Sequence, residues 1–305
     1  MEEKNFSRTA LMTAYCRGYH ALHDTPKIFD DFLAHSILTE AERAALEQYF
    51  VTGLQSANPE FFASFPDRAA VVGWMIRNGF PSPLFLSRAR YTEDSLEAAV
   101  KQGVKQYVIL GAGMDTFAFR RKELIEQLQV FEVDHPATQA FKRNRLAELG
   151  WDLPVQLHFI PVDLNQESLA EALKCSAYDP QAHTFFSWLG VTMYLTRDAV
   201  FATLRSITDI SPIGSSVIFD YFDTDAFIPE KAAPRVQGMM RSVQKLGEPM
   251  LTGLDPSMLA ADLHLVGLRL QEQLSPSDIQ ERYFKGRTDG YYAYEHAHFA
   301  CAVVE

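Results

Sequence analysis

Two short motifs carry residues that could bind a nucleotide-like molecule. The turn Gly111-Ala112-Gly113 directly follows an apolar run at residues 107–110, and Asp134 ends the next apolar run, 23 residues after Gly111. Glycine lets a ligand approach the backbone, and an acid about 20 residues after the first glycine can accept hydrogen bonds from ribose hydroxyls. The spacing predicts a pocket for a ribose-bearing cofactor at the ends of two strands.

The residues after the turn indicate which cofactor fits. A dinucleotide-binding turn has a third glycine that allows close packing beside the pyrophosphate, but Thr116 stands at that position. Asp115 adds a negative charge at the start of a helix predicted for residues 117–128, where it would repel a phosphate and favour an ammonium group. S-adenosylmethionine has a ribose, an amino group and a sulfonium, and no phosphate. The sequence therefore favours S-adenosylmethionine over NAD.

The composition is typical of a soluble globular protein. The chain has 305 residues, of which 47% are hydrophobic and 22% charged, and its formal net charge is -11. This acidic balance argues against a general nucleic-acid binder, which would carry a basic surface. Cys16, Cys175 and Cys301 form no metal-ligand spacing, so we predict no metal site and a reducing, cytoplasmic setting.

Membrane association is not expected from the sequence. The first residues, Met1 to Lys4, lack the basic region and the apolar run of a secretory signal. The longest nearly apolar run, residues 185–195, is too short to span a bilayer. We therefore predict no membrane partner.

The first part of the chain is predicted to be helical. Residues 5–50 carry helical spacing, with Ser7 or Thr9 as the cap of one helix and Thr39 as the cap of another. The following aromatic and proline-punctuated segment, residues 58–83, forms either core packing or the wall of a substrate pocket. Both interpretations are open at this point.

Strand and helix patterns alternate from residue 96 onward, which is typical of an α/β protein. We predict a helical extension at residues 1–95 and a doubly wound, Rossmann-like α/β sheet of about seven strands at residues 96–305. Residues 222–255 break the alternation with scattered Pro, Gly and Met residues. We interpret this segment as an inserted lid over the active site, where flexible methionines suit an apolar ligand.

Charged residues outside the glycine turn have two interpretations each. Asp30 and Asp31 form either a solvated turn or a local cap. Arg88 and Arg90 precede a helix predicted for residues 94–102. On an extended segment both arginines would point the same way, and a guanidinium could bind the carboxylate of S-adenosylmethionine through two parallel hydrogen bonds. A solvated basic loop is the alternative.

Further candidates follow the later strands, because ligands of open α/β sheets bind at the carboxyl ends of the strands. His135 follows the second strand and would lie near the adenosine. Asp163 could accept a hydrogen bond from the adenine amino group, with Leu164 packed on the ring, or it could cap the helix expected after Asn165. The exit of the fourth strand, residues 188–194, would lie over the cofactor.

These residues resemble the leucine carboxyl methyltransferase-like branch of the S-adenosylmethionine-dependent methyltransferases, which includes many bacterial O-methyltransferases. The resemblance covers roughly residues 7–220 and rests on five ordered blocks. The blocks are Arg88-Ala89-Arg90-Tyr91, Val108 to Thr116 with Arg120, Phe131 to Pro136, Val162-Asp163-Leu164, and Trp188 to Leu195.

The resemblance implies a role for each matching residue. It implies that Arg90 holds the carboxylate of the cofactor, that Gly111 lies against its methionyl part, and that Asp134 binds its ribose. It also implies that Asp163 and Leu164 lie at the adenine. The same resemblance implies a last strand that runs antiparallel to its neighbours.

The sequence departs from the family pattern at Leu189. In the eukaryotic phosphatase-methylating enzymes a glutamate occupies this place, and here the carboxylate is absent. The aromatic segment and the methionine-bearing insertion then favour a small apolar or aromatic acceptor with a hydroxyl or carboxylate. A protein carboxyl terminus is the alternative acceptor.

Methyl transfer requires mainly alignment of the acceptor oxygen and exclusion of water. A carboxylate needs no base, whereas a hydroxyl benefits from one. Tyr194, Asp220 and His296 are the candidates for such a base, and none has a partner visible in the sequence. The rival classes of protein are an NAD-dependent oxidoreductase and a cofactor-binding module without activity.

Overall fold

The computed structural model describes residues 7–164, 166–245 and 247–305. Predictions that fall on residues 1–6 therefore lie outside the described residues. These are the helical start at residues 5 and 6 and the statement about Met1 to Lys4. Asn165 lies outside the described residues as well.

The centre of the protein is a sheet of seven strands. The strands are β1 (Gln106–Leu110), β2 (Gln129–Asp134), β3 (Leu157–Pro161), β4 (Thr184–Trp188), β5 (Ser216–Phe222), β6 (Leu268–Leu274) and β7 (Ala297–Val304). Their order is β3-β2-β1-β4-β5-β7-β6; β1 to β5 pair in parallel, and β7 is antiparallel to both β5 and β6. The predicted doubly wound α/β sheet with an antiparallel last strand is confirmed.

The central strands are apolar on both faces. All residues of β1 and β4 are buried, as expected for parallel strands covered by helices on both sides. In β1, Tyr107 and Ile109 belong to one core cluster, whereas Val108 and Leu110 belong to the other. The chain crosses from one side of β1 to the other between β3 and β4, which creates the crevice where ligands of such sheets bind.

Helices cover both faces of the sheet. The described residues form α1 (Arg8–His23), α2 (Glu40–Ala57), α3 (Pro59–Phe62), α4 (Arg68–Trp74), α5 (Ser82–Lys101), α6 (Phe117–Arg120), α7 (Lys122–Ile125), α8 (Pro136–Glu148), α9 (Leu169–Lys174), α10 (Arg197–Ile210), α11 (Pro234–Lys245), α12 (Leu259–His264) and α13 (Pro276–Ile279). Short π-helical turns follow α4 and α13, and 3-10 turns follow β4 and β5. In the described part of the chain, every helix is too short or too polar to cross a membrane.

Two helix caps agree with the sequence. Ser7 caps α1 by accepting the backbone N–H of Ala10. Thr39 and Glu42 form a reciprocal capping box at the start of α2, which satisfies two backbone donors. These interactions are local, so the residue types were sufficient to predict them.

Helix α5 is longer than predicted. It begins at Ser82 rather than near residue 94, because Pro83 occupies its first turn, where a missing N–H costs no hydrogen bond. Arg88 and Arg90 therefore lie on a helix, and the expectation of an extended segment is wrong. Positions two apart on a helix point in different directions.

The segment after the glycine turn also differs from its prediction. Instead of one helix over residues 117–128, the chain forms α6 and α7. The break falls at Arg121, whose backbone dihedrals (φ -106°, ψ 61°) are not helical. The Arg121 guanidinium is held by Glu93 and Glu97 of α5. Contacts with a distant helix accompany this break, and local spacing could not show them.

The insertion predicted at residues 222–255 lies against the loop that follows β4. The backbone N–H groups of Leu251 and Thr252 both donate to the carbonyl of Met193. The Thr252 hydroxyl donates to the carbonyl of Leu195 at 2.6 Å. The end of the insertion is therefore joined by hydrogen bonds to the carboxyl edge of the sheet.

Candidate active site

The glycine turn is in direct contact with the loop after β4. Gly111 has a φ of +72° and Gly113 a φ of +51°, which glycine adopts without steric cost. A Cβ atom on Gly111 would lie 2.4 Å from Cγ2 of Val191. There is no room for any side chain at Gly111, so the backbone itself forms this part of the site.

Asp134 lies at the end of β2 beside the turn. Its Oδ2 accepts the backbone N–H of Gly113, and its Oδ1 accepts that of His135 at 2.7 Å. Burial raises the pKa of Asp134, while these two hydrogen bonds act in the opposite direction. Each carboxylate oxygen can accept further hydrogen bonds, so the geometry suits a ribose diol.

His135 has a structural role in the described contacts. It is the N-cap of α8, and its Nδ1 accepts the N–H of Ala137 at 3.3 Å. Its side chain is exposed. The placement of His135 near the adenosine stays a prediction.

Asp163 follows β3, and its side chain accepts a hydrogen bond from the Gln166 amide at 2.7 Å. The next helix, α9, is capped by Ser168. The alternative in which Asp163 caps that helix is therefore wrong. Leu164 is half-buried against one core cluster, which leaves an apolar surface beside Asp163.

The two arginines of α5 have different environments. The Arg88 side chain is buried, and its Nη1 lies 2.7 Å from Oδ2 of Asp220. Arg90 instead lies on the exposed face of the helix and pairs with Asp94. The structure brings Arg88, not Arg90, to the carboxyl edge of the sheet.

Gly190, in the loop after β4, contacts both Arg88 of α5 and Asp220 of β5. Its backbone N–H donates to Oδ1 of Asp220 at 2.6 Å. Its φ is +71°, and a Cβ atom there would lie 2.5 Å from Nη2 of Arg88. Leu189, where the family departure was noted, precedes Gly190 and is half-buried. Gly190 was given no individual role by the sequence, although it stands within the strand exit at residues 188–194 that was predicted to lie over the cofactor.

A buried network of charged side chains is hydrogen-bonded to the residues that directly follow the glycine turn. Asp31 is 1% exposed and pairs with Arg17 and Arg120. Arg17 also donates to the carbonyl of Met114 at 2.8 Å, and the Thr116 hydroxyl donates to Asp31. The pKa of Asp31 is lowered, because the two arginines outweigh the burial that would raise it. The solvated-turn alternative is wrong for Asp31, whereas the local-cap alternative is confirmed, because its Oδ1 also accepts the backbone N–H of Ala34 at 3.1 Å.

A second buried ion pair joins Glu132, two positions before Asp134 on strand β2, to Lys142 of helix α8. Glu132 Oε2 accepts a hydrogen bond from Lys142 Nζ at 2.6 Å, and both side chains are 1% exposed. Burial raises the pKa of Glu132 to about 7, with Lys142 acting against that rise and the nearby Asp115 and Asp134 adding to it. No hydrogen-bond partner of Glu132 Oε1 is present among the described residues.

A cavity of about 280 Å³ opens beside Arg88 and Gly190. Its walls come from the N-terminal helices, the loop after β4 and the 222–255 insertion. They are mainly apolar and include five methionines and several aromatic rings: Met12, Met75, Met193, Met239, Met250, Tyr49, Phe80, Phe85, Tyr194 and Phe222. The segment 58–83 contributes to both: Val71, Val72 and Ile76 are buried in the core, whereas Met75 and Phe80 line the cavity.

The three predicted bases are placed differently. Tyr194 lines the cavity, and burial raises its pKa above its ordinary value, so its hydroxyl stays protonated. Both carboxylate oxygens of Asp220 are engaged, one by Arg88 and one by Gly190. His296 lies outside the lining residues of the cavity and is held through both ring nitrogens by Asp223 and the N–H of Ala233.

The fold occurs in other solved structures. A DUF574 family protein from Streptomyces avermitilis MA-4680 superposes with a TM-score of 0.58 at 12% identity, over 96% of this chain and 97% of that one. A structure described as "putative methyltransferase" from Thermobifida fusca YX gives a TM-score of 0.56 at 13% identity, over 79% and 89% of the two chains. At such identities the likeness concerns the fold alone.

The fold, the glycine turn and the acid after β2 define the class: an S-adenosylmethionine-dependent methyltransferase. The sequence model described as leucine carboxyl methyltransferase matches residues 10–208, and the chain belongs to this family. Its relatives include the Bacillus subtilis (strain 168) protein named "Putative S-adenosyl-L-methionine-dependent methyltransferase YktD", 37% identical over 99% of both chains. A Mycobacteroides abscessus protein named as a methyltransferase of the same kind is 34% identical over 69% of this chain and 65% of its own.

Proposed function

We propose that this chain transfers the methyl group of S-adenosylmethionine to an oxygen atom, hydroxyl or carboxylate, of a small apolar molecule. The observation that carries the proposal is the apolar cavity beside Arg88 and Gly190. Binding sites for small molecules are concave, mostly apolar, and contain a few polar groups that set orientation. This cavity has that character, and the predicted extension at residues 1–95 and insertion at residues 222–255 both supply its walls.

The cofactor is assigned to the carboxyl edge of the sheet. We assign the ribose to Asp134 and the methionyl part to the glycine turn, where Gly111 leaves no side chain in the way. We assign the carboxylate to Arg88 rather than Arg90, because Arg88 is buried beside Gly190. The adenine assignment to Asp163 and Leu164 is kept.

Methyl transfer requires little from the protein beyond alignment of the acceptor oxygen with the methyl group. The carbon–sulfur bond breaks with its electron pair left on sulfur, and a carbon–oxygen bond forms to the acceptor. A carboxylate acceptor loses no proton, whereas a hydroxyl must release one. Among the described residues that line the cavity, Tyr194 is a candidate proton acceptor only in its ionised form, and its raised pKa opposes that form. The mainly apolar walls disfavour water beside the reacting atoms.

We place the reaction in the cytoplasm. The three cysteines are free thiols, and Cys16 is buried. Free thiols suit a reducing compartment.

The test is a transfer assay with S-adenosylmethionine labelled in its methyl group. The purified chain is incubated with cell extract that has been separated into protein and metabolite fractions, with Asp134→Ala as the control for cofactor binding. We expect label in a metabolite, and much less label with the variant. Label found solely in a base-labile protein ester would overturn the proposal in favour of a protein carboxyl terminus.

A further inference from the structure

Arg235, on helix α11 of the insertion, is held in one orientation. Its guanidinium carbon lies 3.8 Å from the ring centroid of Tyr292 and 4.3 Å from that of Tyr294. Nε pairs with Glu295, and Nη2 donates to the carbonyl of Ala293. Stacking and hydrogen bonds together fix the plane of the guanidinium, so the position of its third nitrogen is fixed as well.

The third nitrogen, Nη1 of Arg235, is buried and has no hydrogen-bond partner among the described residues. Leaving a buried donor unpaired is costly, and more so when the group is charged. Such a group in a folded protein calls for an explanation, and a bound ligand oxygen is one. Arg235 is also one of the residues that line the apolar cavity, and a ligand oxygen would reach Nη1 by displacing the side chains that cover it.

The charged side chains that line the cavity are cationic, and the nearby carboxylates stand outside the lining: Asp220 and Glu295 pair with these cations, and Glu248 accepts a hydrogen bond from Thr9. The lining side chains include Arg88 and Arg235, and the described lining residues include no Asp or Glu. The charge of Arg88 is matched by Asp220 behind it. The Glu295 partner of Arg235 is 41% exposed, so water screens that pair more than the buried one. A negatively charged group is therefore favoured near Arg235, and an ammonium group is disfavoured.

We propose that Arg235 is an acceptor-binding residue whose Nη1 holds an anionic oxygen, such as that of a carboxylate, on a small apolar molecule. The rest of that molecule lies along the methionine side chains, which adapt to varied apolar shapes. This inference rests on the proposed function for the cavity, and it adds the residue and the charge that select the acceptor.

The first experiment compares three ligands of nearly equal size on the full chain saturated with S-adenosylhomocysteine. The ligands are 2-naphthoate, 2-naphthamide and 2-naphthylmethylamine, which are anionic, neutral and cationic at pH 7, and binding is followed by naphthalene fluorescence. We expect 2-naphthoate to bind at least tenfold more tightly than the amide, and the amine to bind most weakly. Equal affinities for the three ligands would overturn the proposal.

The second experiment changes Arg235. Arg235→Gln should remove the preference for 2-naphthoate over 2-naphthamide while the affinity for S-adenosylhomocysteine stays within twofold. Arg235→Lys keeps the charge without the planar fork and should retain part of the preference. Arg241→Gln, on the exposed part of the same helix, is the matched control and should leave the preference unchanged. A preference that persists in Arg235→Gln overturns the assignment.

The outcomes separate this inference from the proposed function. Label in a metabolite together with an unchanged anion preference in Arg235→Gln would refute the role of Arg235 alone. Label solely in protein, together with a preference that Arg235→Gln abolishes, would refute the small-molecule acceptor and leave the anion site in place. Should Arg235→Gln fail to fold, the ligand series on the wild-type chain and on Arg235→Lys still decides.

Discussion

Arg88 on helix α5 and Asp220 on strand β5 form a buried ion pair with 2.7 Å between Nη1 and Oδ2. The two side chains are 10% and 1% exposed. The other oxygen of Asp220 accepts the N–H of Gly190, so one carboxylate joins the helix, the strand and the loop after β4. This pair therefore holds both the proposed cofactor arginine and the backbone that borders the acceptor cavity.

Removing the acid of this pair should destabilise the fold strongly. Asp220→Asn leaves the charge of Arg88 buried without a partner, and breaking a buried pair in this way costs about 3 to 5 kcal/mol. The measurement is the free energy of unfolding in urea. Arg90→Ala is the matched control on the same helix, because its pair with Asp94 is exposed and such pairs contribute about 0 to 1 kcal/mol. Equal losses for the two variants would contradict the structural role of the buried Arg88 pair.

The contact between Gly111 and Val191 predicts that Gly111→Ala lowers the free energy of unfolding through two separable effects. Gly111→Ala forces a side chain into a left-handed conformation, at about 1 to 2 kcal/mol, and against Cγ2 of Val191, at about 1 to 3 kcal/mol. Val191→Ala removes the clashing atom, so Gly111→Ala should cost less in that background by the second amount. Urea unfolding of the four proteins in this cycle measures both parts.

A glycine without these constraints provides the control. Gly53 lies in helix α2, and a Cβ atom there would meet nothing within 4 Å. Gly53→Ala should raise the free energy of unfolding by about 0.5 to 1 kcal/mol. A stabilising effect of Gly111→Ala, or no change when Val191 is also replaced, would contradict the described geometry.

Cofactor affinity should depend on Asp134. Asp134→Ala leaves ribose hydroxyls without their acceptor, and we expect a loss of about 1 to 3 kcal/mol in the binding free energy of S-adenosylhomocysteine. Isothermal calorimetry measures this loss. Asp209→Asn is the control, since Asp209 is exposed near the end of helix α10. An unchanged affinity in Asp134→Ala would contradict the assignment of the ribose to this carboxylate.

The buried Glu132 predicts a pH dependence of stability with a definite sign. Its pKa is raised from 4.5 to about 7 in the folded protein, so the folded state binds a proton that the unfolded state has released. The contribution of this group is fully present below pH 4.5 and is lost as the pH rises through about 7. Relative to a Glu132→Gln/Lys142→Met reference, the wild-type chain should lose unfolding free energy between pH 5 and pH 7. Urea unfolding across that range tests the trend, and a rise would contradict it.

Much of the fold was predictable because its signals are local. The strands are short apolar runs with turn residues between them, and the caps at Ser7 and Thr39 depend on residues three positions away. The glycine turn and Asp134 were also predictable, since a backbone approach needs glycine and the acid must stand at the end of the next strand. The family follows from the same blocks.

The environments of several residues could not be predicted from the sequence, because their partners lie far away along the chain. Asp31 was expected in a solvated turn or as a local cap; it does cap Ala34, yet it is also buried between Arg17 and Arg120, which the sequence did not indicate. His296 was a candidate base, yet both its ring nitrogens are engaged by Asp223 and Ala233. No spacing along the chain reveals such partners.

The two arginines of α5 show most clearly what the sequence determined and what the tertiary structure decided. The sequence by itself determined that guanidinium groups precede the glycine turn, and the motif of the family pointed to Arg90. The tertiary structure gave the two different environments, because a helix turns neighbouring positions to different faces. Arg88 is buried against Asp220, 132 positions further along the chain, whereas Arg90 is exposed and pairs with Asp94. The same reason applies to Arg235, which belongs to no motif and lines the cavity together with residues far away along the chain. Local chemistry was therefore readable from residue types and spacing, whereas the burial and pairing of charges were decided by the packing of distant segments.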